Sequence, residues 1–320
     1  MIPPYQVTPD ILDYIGKIER LLGRLEGLEH PKPQPHLRKS NRIRTVQGSL
    51  AIEGNTLSFD QVTALMDGKP VLGKKQEIQE VQNAIKAYDL ITEFKPYSEK
   101  SLLNAHRLLM DQLIESAGKV RKGHVGITSG TQISHIAPPA DRLPYLLKEL
   151  FTFLKKDKSH PLIKSAVFHY ELEFIHPFED GNGRIGRLWH SLLLIQYHPI
   201  FEYTPIESLI KENQRKYYDA LSQSDNAGES TKFIQFSLEM AYLALSDLAD
   251  NLRPEPSTSE SRLTGAREHF GDQKFSRKDY LDLYKRISTA TASRDLKAGV
   301  DRGVLMKEGQ KALTVYQFSG

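Results

Sequence analysis

The chain has 320 residues, 43 Lys and Arg against 40 Asp and Glu, and no cysteine. The missing cysteines exclude disulfides, thiolate zinc sites and cysteine nucleophiles, and a formal charge of +3 names no polyanionic partner by itself. The length suggests two or three units; with neither a signal peptide at Met1-Ile2-Pro3-Pro4-Tyr5 nor an apolar run of spanning length, the expectation is a cytoplasmic protein with no membrane partner.

Thr8 and Pro9 read as the cap and first turn of a helix whose apolar face is Ile11, Leu12, Ile15, Ile18, Leu21, Leu22 and Leu25, ending near Leu28. Pro31-Lys32-Pro33-Gln34-Pro35 forbids helix and makes a stiff connector. A second helix over Leu37 to Ile52 carries Arg38, Lys39, Arg42 and Arg44 and stops at Glu53-Gly54-Asn55, where glycine terminates it. Glu53 faces the negative end of that helix, a poor placement unless a cation compensates it. Ser58 opens a helix to Met66. Glu77 to Phe94 is predicted as one long amphipathic helix, and Ser98 caps the next, through Leu113.

Between Arg121 and Pro139 the period changes. Val125 and Ile127 alternate with small residues, Ser129-Gly130 turns the chain, and Ile133, His135 and Ile136 return it, which predicts a β-hairpin. Helices resume over Asp141 to Lys155 and Pro161 to Phe174, and later over Ile206 to Ser222 and Thr231 to Leu252.

Between these helices lies the densest stretch, His176-Pro177-Phe178-Glu179-Asp180-Gly181-Asn182-Gly183-Arg184-Ile185-Gly186-Arg187. Leu188, Trp189, Leu192, Leu193 and Ile195 follow at helical spacing, so Gly181, Asn182 and Gly183 form a loop opening onto a helix N-terminus. Free N–H groups and the helix dipole favour an anion there, and glycine lets phosphate oxygens approach the main chain. Arg184 and Arg187 share a face and suit a phosphate clamp. Asp180 is a magnesium-type oxygen ligand, and His176 is the group suited to take a proton near neutral pH. A glycine turn before a buried helix would explain the glycines alone, but not a base, a carboxylate and two cations in the same turn.

The string resembles, without departure, the signature of the Fic family of nucleotidyl transferases. The resemblance runs from about Tyr5 to Leu252 and implies a mainly α fold, a Fic-type helical core with a β-hairpin flap. It implies an N-terminal helical region over 1–95 and a catalytic core over 96–253. The implied activity is transfer of AMP from ATP, with Mg2+, to a Ser, Thr or Tyr hydroxyl of a target protein or of the chain itself. The flap, with Val125 and Ile127, would hold the target as an added strand, although a hairpin can equally serve stability alone. Tyr217, Tyr218 and Asn226 resemble positions that hold adenine and ribose; tandem tyrosines on a helix also suit a core. Ser49 to Asn55 resembles the family's inhibitory motif, which implies an ion pair between Glu53 and Arg187 that keeps the arginine from the γ-phosphate. The same site could instead hydrolyse an AMP–protein bond, with Glu53 orienting water.

Residues 254–261, Pro254-Glu255-Pro256-Ser257-Thr258-Ser259-Glu260-Ser261, have linker composition. From Arg262 onward twelve Lys and Arg face seven Asp and Glu, so the rest of the chain is slightly acidic. Phe275 to Leu281 reads as a capped short helix, Ser288 to Val300 as a second, and Gly303 to Met306 with Leu313 to Tyr316 as a hairpin. That order looks like a small C-terminal winged-helix domain over 262–320, with the second helix in the recognition position. Such a unit contacts DNA or docks protein, which adds a nucleotide-sensing transcriptional regulator as an alternative. A homodimer stays open.

Overall fold

The computed structural model describes residues 3–27, 33–123, 126–129, 132–252, 258–284, 287–309 and 314–319, with backbone alone for 126–129 and 132–136. Local signals start most helices. Thr8 accepts from the Ile11 N–H at 3.3 Å and opens α1 (Pro9–Glu26), whose buried face includes Ile11, Ile18, Leu22 and Leu25. α2 (Pro35–Ile52) begins on the last proline of the expected connector, because the first helical position needs no N–H donor and suits proline's φ. Ser58 and Gln61 close a reciprocal capping box on α3 (Phe59–Met66).

Two helices are shorter than their periodicity predicts. α4 (Lys75–Asp89) stops at Leu90, and Ile91–Glu93 forms a separate 3-10 turn. α5 (Glu99–Leu109) ends short of Leu113, where buried Asn83 donates to the Leu109 and Asp111 carbonyls at 3.2 and 2.7 Å and satisfies the helix end from outside. The expected hairpin is β1 (Gly126–Ser129) paired antiparallel with β2 (Gln132–Ile136), Gly126 opposite Ile136, with a register shift between Ile127 and Thr128. Val125 and Gly130 lie outside the described residues.

A 3-10 turn, Ala140–Arg142, leads into α6 (Leu143–Lys156), then α7 (Pro161–Ile175) and α8 (Asn182–Tyr197). α7 and α8 are buried on nearly every side, and their buried residues include His169, Arg184, Arg187 and His190 beside the apolar ones. Ile206 to Ser222, predicted as one helix, is two: α9 (Ile206–Glu212) and α10 (Gln214–Ala227) part at Asn213. That residue sits at φ −110°, and its Nδ2 donates to Leu209 O at 3.0 Å, the side chain competing with the helical backbone. α11 (Thr231–Leu252) runs where predicted.

α2 meets α9 backbone to backbone. A Cβ on Gly48 would lie 2.8 Å from the carbonyl carbon of Glu207, so glycine sets how closely α2 packs. Asn41 adds a bond to Tyr203 O at 2.7 Å. The helices expected to precede the core therefore share one compact unit with it, Met1–Asn251, and Leu252–Gly320 forms a second. Among the described residues, no helix is long and apolar enough to cross a membrane.

The second unit holds a helix absent from the sequence reading. Thr258 and Ser261 form a capping box and start α12 (Ser259–Phe270), so the last residues of the expected linker are the cap and first turn of a helix. β3 (Phe275–Ser276), α13 (Arg277–Leu283), α14 (Thr289–Asp301), β4 (Leu305–Glu308) and β5 (Val315–Phe318) follow. The strands form an antiparallel sheet in the order β3-β5-β4, with Leu305 opposite Phe318. Phe275, Tyr280, Leu296 and Phe318 lie in its core. Leu313, expected in the hairpin, is outside the described residues.

Candidate active site

α7 ends in a left-handed corner at His176, with φ 48° and ψ 60°. A non-glycine residue held there costs on the order of 1 kcal/mol or more, and Arg121 supplies the restraint. Its side chain is buried and donates from Nε to His176 O at 2.7 Å, from Nη1 to Gly123 O at 2.6 Å and from Nη2 to Pro138 O at 2.7 Å. Its own N–H donates to Pro177 O at 2.9 Å. Burial lowers the pKa of Arg121, but a guanidinium stays charged, and a cation at the C-terminus of α7 complements the helix dipole.

The loop after His176 is fastened from two sides. Asn182 Oδ1 accepts from the Phe178 N–H and its Nδ2 donates to Phe178 O, both at 2.9 Å. The Phe178 ring stacks on His106 of α5 with centroids 3.7 Å apart and planes 7° from parallel. The Gly118 N–H donates to His106 Nδ1 at 2.9 Å, so the proton sits on Nε2, which donates to Asp180 O at 2.9 Å. Burial pushes the His106 pKa down to about 4, which keeps this neutral tautomer at neutral pH. Gly181 is at φ 82°, and a Cβ there would lie 2.6 Å from Met110 Sδ, so both conformation and space require glycine.

The first turn of α8 then presents its N–H groups, and its first two turns carry two buried arginines. Arg184 Nη2 donates to Asp180 Oδ1 at 2.8 Å, and Nη1 faces Glu80 Oε1 at 3.5 Å; Arg184 Nε is buried with no partner. Arg187, 1% exposed, donates from Nη2 to Glu53 Oε1 at 2.6 Å and to Ser49 O at 3.0 Å, and from Nε to Ser49 Oγ at 3.3 Å. Burial alone would lower the Arg187 pKa, but the negative charges around it, Glu53 first, outweigh that and raise it. A Cβ on Gly183 would collide with Glu53 Oε1. The carboxylate of Glu53 thus stands at the head of α8, where helix dipole and guanidinium both favour an anion.

Asp180 offers one carboxylate, 56% exposed, with Oδ1 already taking the Gly181 N–H at 2.5 Å and Arg184. Among the described residues, no group of three or more His, Asp or Glu could hold a metal by itself. A single exposed carboxylate fits Mg2+, which takes one or two protein ligands and completes its shell with phosphate oxygens and water.

The α10 residues divide. Tyr217 is 1% exposed, its hydroxyl 3.3 Å from His169 Nε2 and 3.5 Å from Glu173 Oε1, and its ring packs with Phe233 and Phe236. Tyr218 is 46% exposed and donates to Ile52 O at 3.4 Å, beside the end of α2. Asn226 is exposed in the last turn of α10. The structure thus brings together His176, the 180–184 loop, Arg187, Glu53 and Tyr218, while Tyr217 belongs to the aromatic core and the Asn182 side chain closes the loop. Arg121, His106 and Glu80 are contributors the sequence reading missed. His106 carried a faint signal, falling on the apolar stripe of α5 with Leu102 and Leu109.

The Fic/DOC family model matches residues 96–194, from α5 into α8. The crystal structure of a Fic family protein from Desulfovibrio desulfuricans G20 is 37% identical, covers 100% of this chain and 99% of its own, and superposes with a TM-score of 0.76. Fic-1 from C. elegans shares the fold at 22% identity and TM-score 0.63, over 76% of this chain and 73% of its own. The protein adenylyltransferase Fic of Culex quinquefasciatus is 30% identical over 254 residues, 72% of this chain and 48% of its own. This chain spans about half the length of the curated relatives it matches. With a relative 37% identical matched from end to end and the family model matched from α5 into α8, this chain belongs to the Fic family.

Proposed function

We propose that this chain is an autoinhibited protein adenylyltransferase, which transfers AMP from ATP to a hydroxyl of a target protein or of itself. The observation that carries this reading is Glu53 Oε1 against Arg187 at the head of α8: a side-chain carboxylate occupies the place that phosphate chemistry would use. His176 takes the proton from the attacking hydroxyl as its oxygen bonds to the α-phosphorus and the bond to pyrophosphate breaks. The first-turn N–H groups of α8 and the arginines bind and orient the phosphates. Asp180 would hold Mg2+, which when bound neutralises phosphate charge. While Glu53 occupies Arg187, that guanidinium cannot grip the γ-phosphate, and the α-phosphate is misaligned for attack. Adenylyltransferase names among relatives support this chemistry.

Incubating the chain with labelled ATP and magnesium, then weighing the intact protein, tests it. AMP adducts on wild type or on Glu53→Gly support transfer. Release of AMP from a pre-modified protein, with no adduct formed, supports the hydrolase instead. Neither outcome, with nucleotide still bound, leaves a sensor.

A second reading concerns the C-terminal unit, whose exposed residues on α14 include Arg294 and Lys297. Three of its acids are engaged elsewhere: Asp279 in a capping box, Asp295 buried with Arg262, Glu308 with Lys274. We infer a winged-helix surface that contacts DNA through α14. Gel shifts should then weaken steeply with salt and vanish on deletion after Pro256.

A further inference from the structure

Both arginines at the head of α8 meet a carboxylate from the N-terminal helices, and the one facing Arg184 has another partner. Glu80, on α4 and 15% exposed, holds Oε1 at 3.5 Å from Arg184 Nη1, while its Oε2 accepts from Asn55 Nδ2 at 2.9 Å. Asn55 lies in the turn that ends α2, separated from Glu53 only by Gly54 at φ 92°. The same Nδ2 donates to Glu77 O at 3.1 Å, Asn55 Oδ1 accepts from the Leu57 N–H at 3.1 Å, and Thr56 Oγ1 donates to Glu77 Oε2 at 2.8 Å. The turn presenting Glu53 is therefore tied to α4 by two adjacent side chains. On the other side, Arg184 is nearly buried, its Nε has no partner, and 3.5 Å is a loose contact for a charge pair. Glu80 steadies that guanidinium without saturating its donors, which leaves them for a phosphate.

We propose that Glu80 is a positioning residue shared by the two halves of the site: one oxygen keeps Arg184 oriented at the phosphate loop, the other holds the turn that sets Glu53 against Arg187. This rests on the autoinhibited reading above and extends it from one ion pair to two elements joined through one side chain. Disturbing the Asn55 contact should free Glu53 although Glu53, Arg187 and the phosphate loop are all intact.

Asn55→Asp sets a second carboxylate against Glu80 Oε2. In the full chain, AMP incorporation should rise on the order of tenfold over wild type. Asn55→Ala, which removes the donor without adding charge, should give a smaller rise. Adding Glu80→Gln to Asn55→Asp restores a donor facing an acceptor and should return incorporation toward wild type, which damage to the fold at Asn55 would not explain. In the Glu53→Gly background Asn55→Asp should add nothing, since no carboxylate at position 53 is left to face Arg187. In that same background Glu80→Ala should raise the KM for ATP several-fold with kcat little changed, the mark of a lost binding orientation. If Glu53→Gly is active while both Asn55 variants, folded by melting curve, stay as quiet as wild type, the link from Glu80 to the turn is overturned. An unchanged KM overturns the Arg184 half. A silent Glu53→Gly overturns the brake itself and this inference with it.

Discussion

Arg187 in the first unit and Arg262 in the second are each buried against a carboxylate, and the two pairs are built differently. Arg262 and Asp295 close a two-pronged contact, Nε to Oδ2 at 2.6 Å and Nη2 to Oδ1 at 3.0 Å, with both side chains nearly inaccessible at 9% and 4%. Tyr280 donates to the same carboxylate at 3.4 Å, and the bonds to Asp295 raise the Arg262 pKa. Arg187 is buried more deeply, yet Glu53 meets it through a single 2.6 Å bond, from a helix end, with 35% of its side chain exposed. The acid partner decides what each pair is for. An acid sealed among tyrosines ties α12 to α14, because opening it leaves an uncompensated charge. An acid at the surface can leave, because water replaces it.

The contrast breaks first at Asp295. Asp295→Ala strands Arg262 and should destabilise the C-terminal unit by about 3–5 kcal/mol, read as a separate early transition in thermal unfolding of the full chain. A loss under about 1 kcal/mol would mean the pair is no tighter than a surface one. The site should respond in activity instead. His176→Ala should lower transfer about 100-fold or more while nucleotide affinity stays nearly intact; activity within a few-fold of wild type would remove His176 from the role of base.

Next comes the open pair. Glu53→Gly should raise self-modification on the order of tenfold and destabilise the fold less than Asp295→Ala does, since solvent reaches the vacated position and Ser49 still accepts from Arg187. Adding Arg187→Ala should cancel the gain if that guanidinium is what the glutamate withholds. A gain that survives Arg187→Ala would assign the brake elsewhere.

The smallest effect is in pH. His106 has a folded pKa of about 4 against 6.5 unfolded, so the unfolded chain binds the extra proton between those values. Its contribution to stability is complete above 6.5 and is lost as pH falls toward 4, about 1 kcal/mol by about pH 5.5. Glu171, raised by desolvation to about 7, and Glu173 and Glu207, also raised by desolvation, act in the opposite sense. Comparison with His106→Gln isolates the histidine: the variant's stability should fall less over that window. Equal slopes would show that folding leaves the His106 pKa unshifted.

Much of the helical layout was legible because its signals are local. Thr8 and Ser58 cap the helices they were expected to cap, and the string from His176 to Arg187 lies within one corner and the first two turns of α8. α12 was not legible, since of its surface-type sequence only Arg262, Leu263 and Ala266 are buried. Nor was the break at Asn213, where one side chain competes with the backbone inside an unbroken apolar period.

By itself the sequence determined which chemical groups stand at the head of α8, because capping, glycine conformation and helical period act over a few residues. Only the tertiary structure decided which charges are buried and what meets them. Arg187 finds Glu53 across 134 positions of sequence, Arg121 holds the corner at His176 across 55, and Glu80 joins Arg184 to Asn55. A buried charge is tolerated only where its partners converge, and that convergence is set by helices packing from distant parts of the chain.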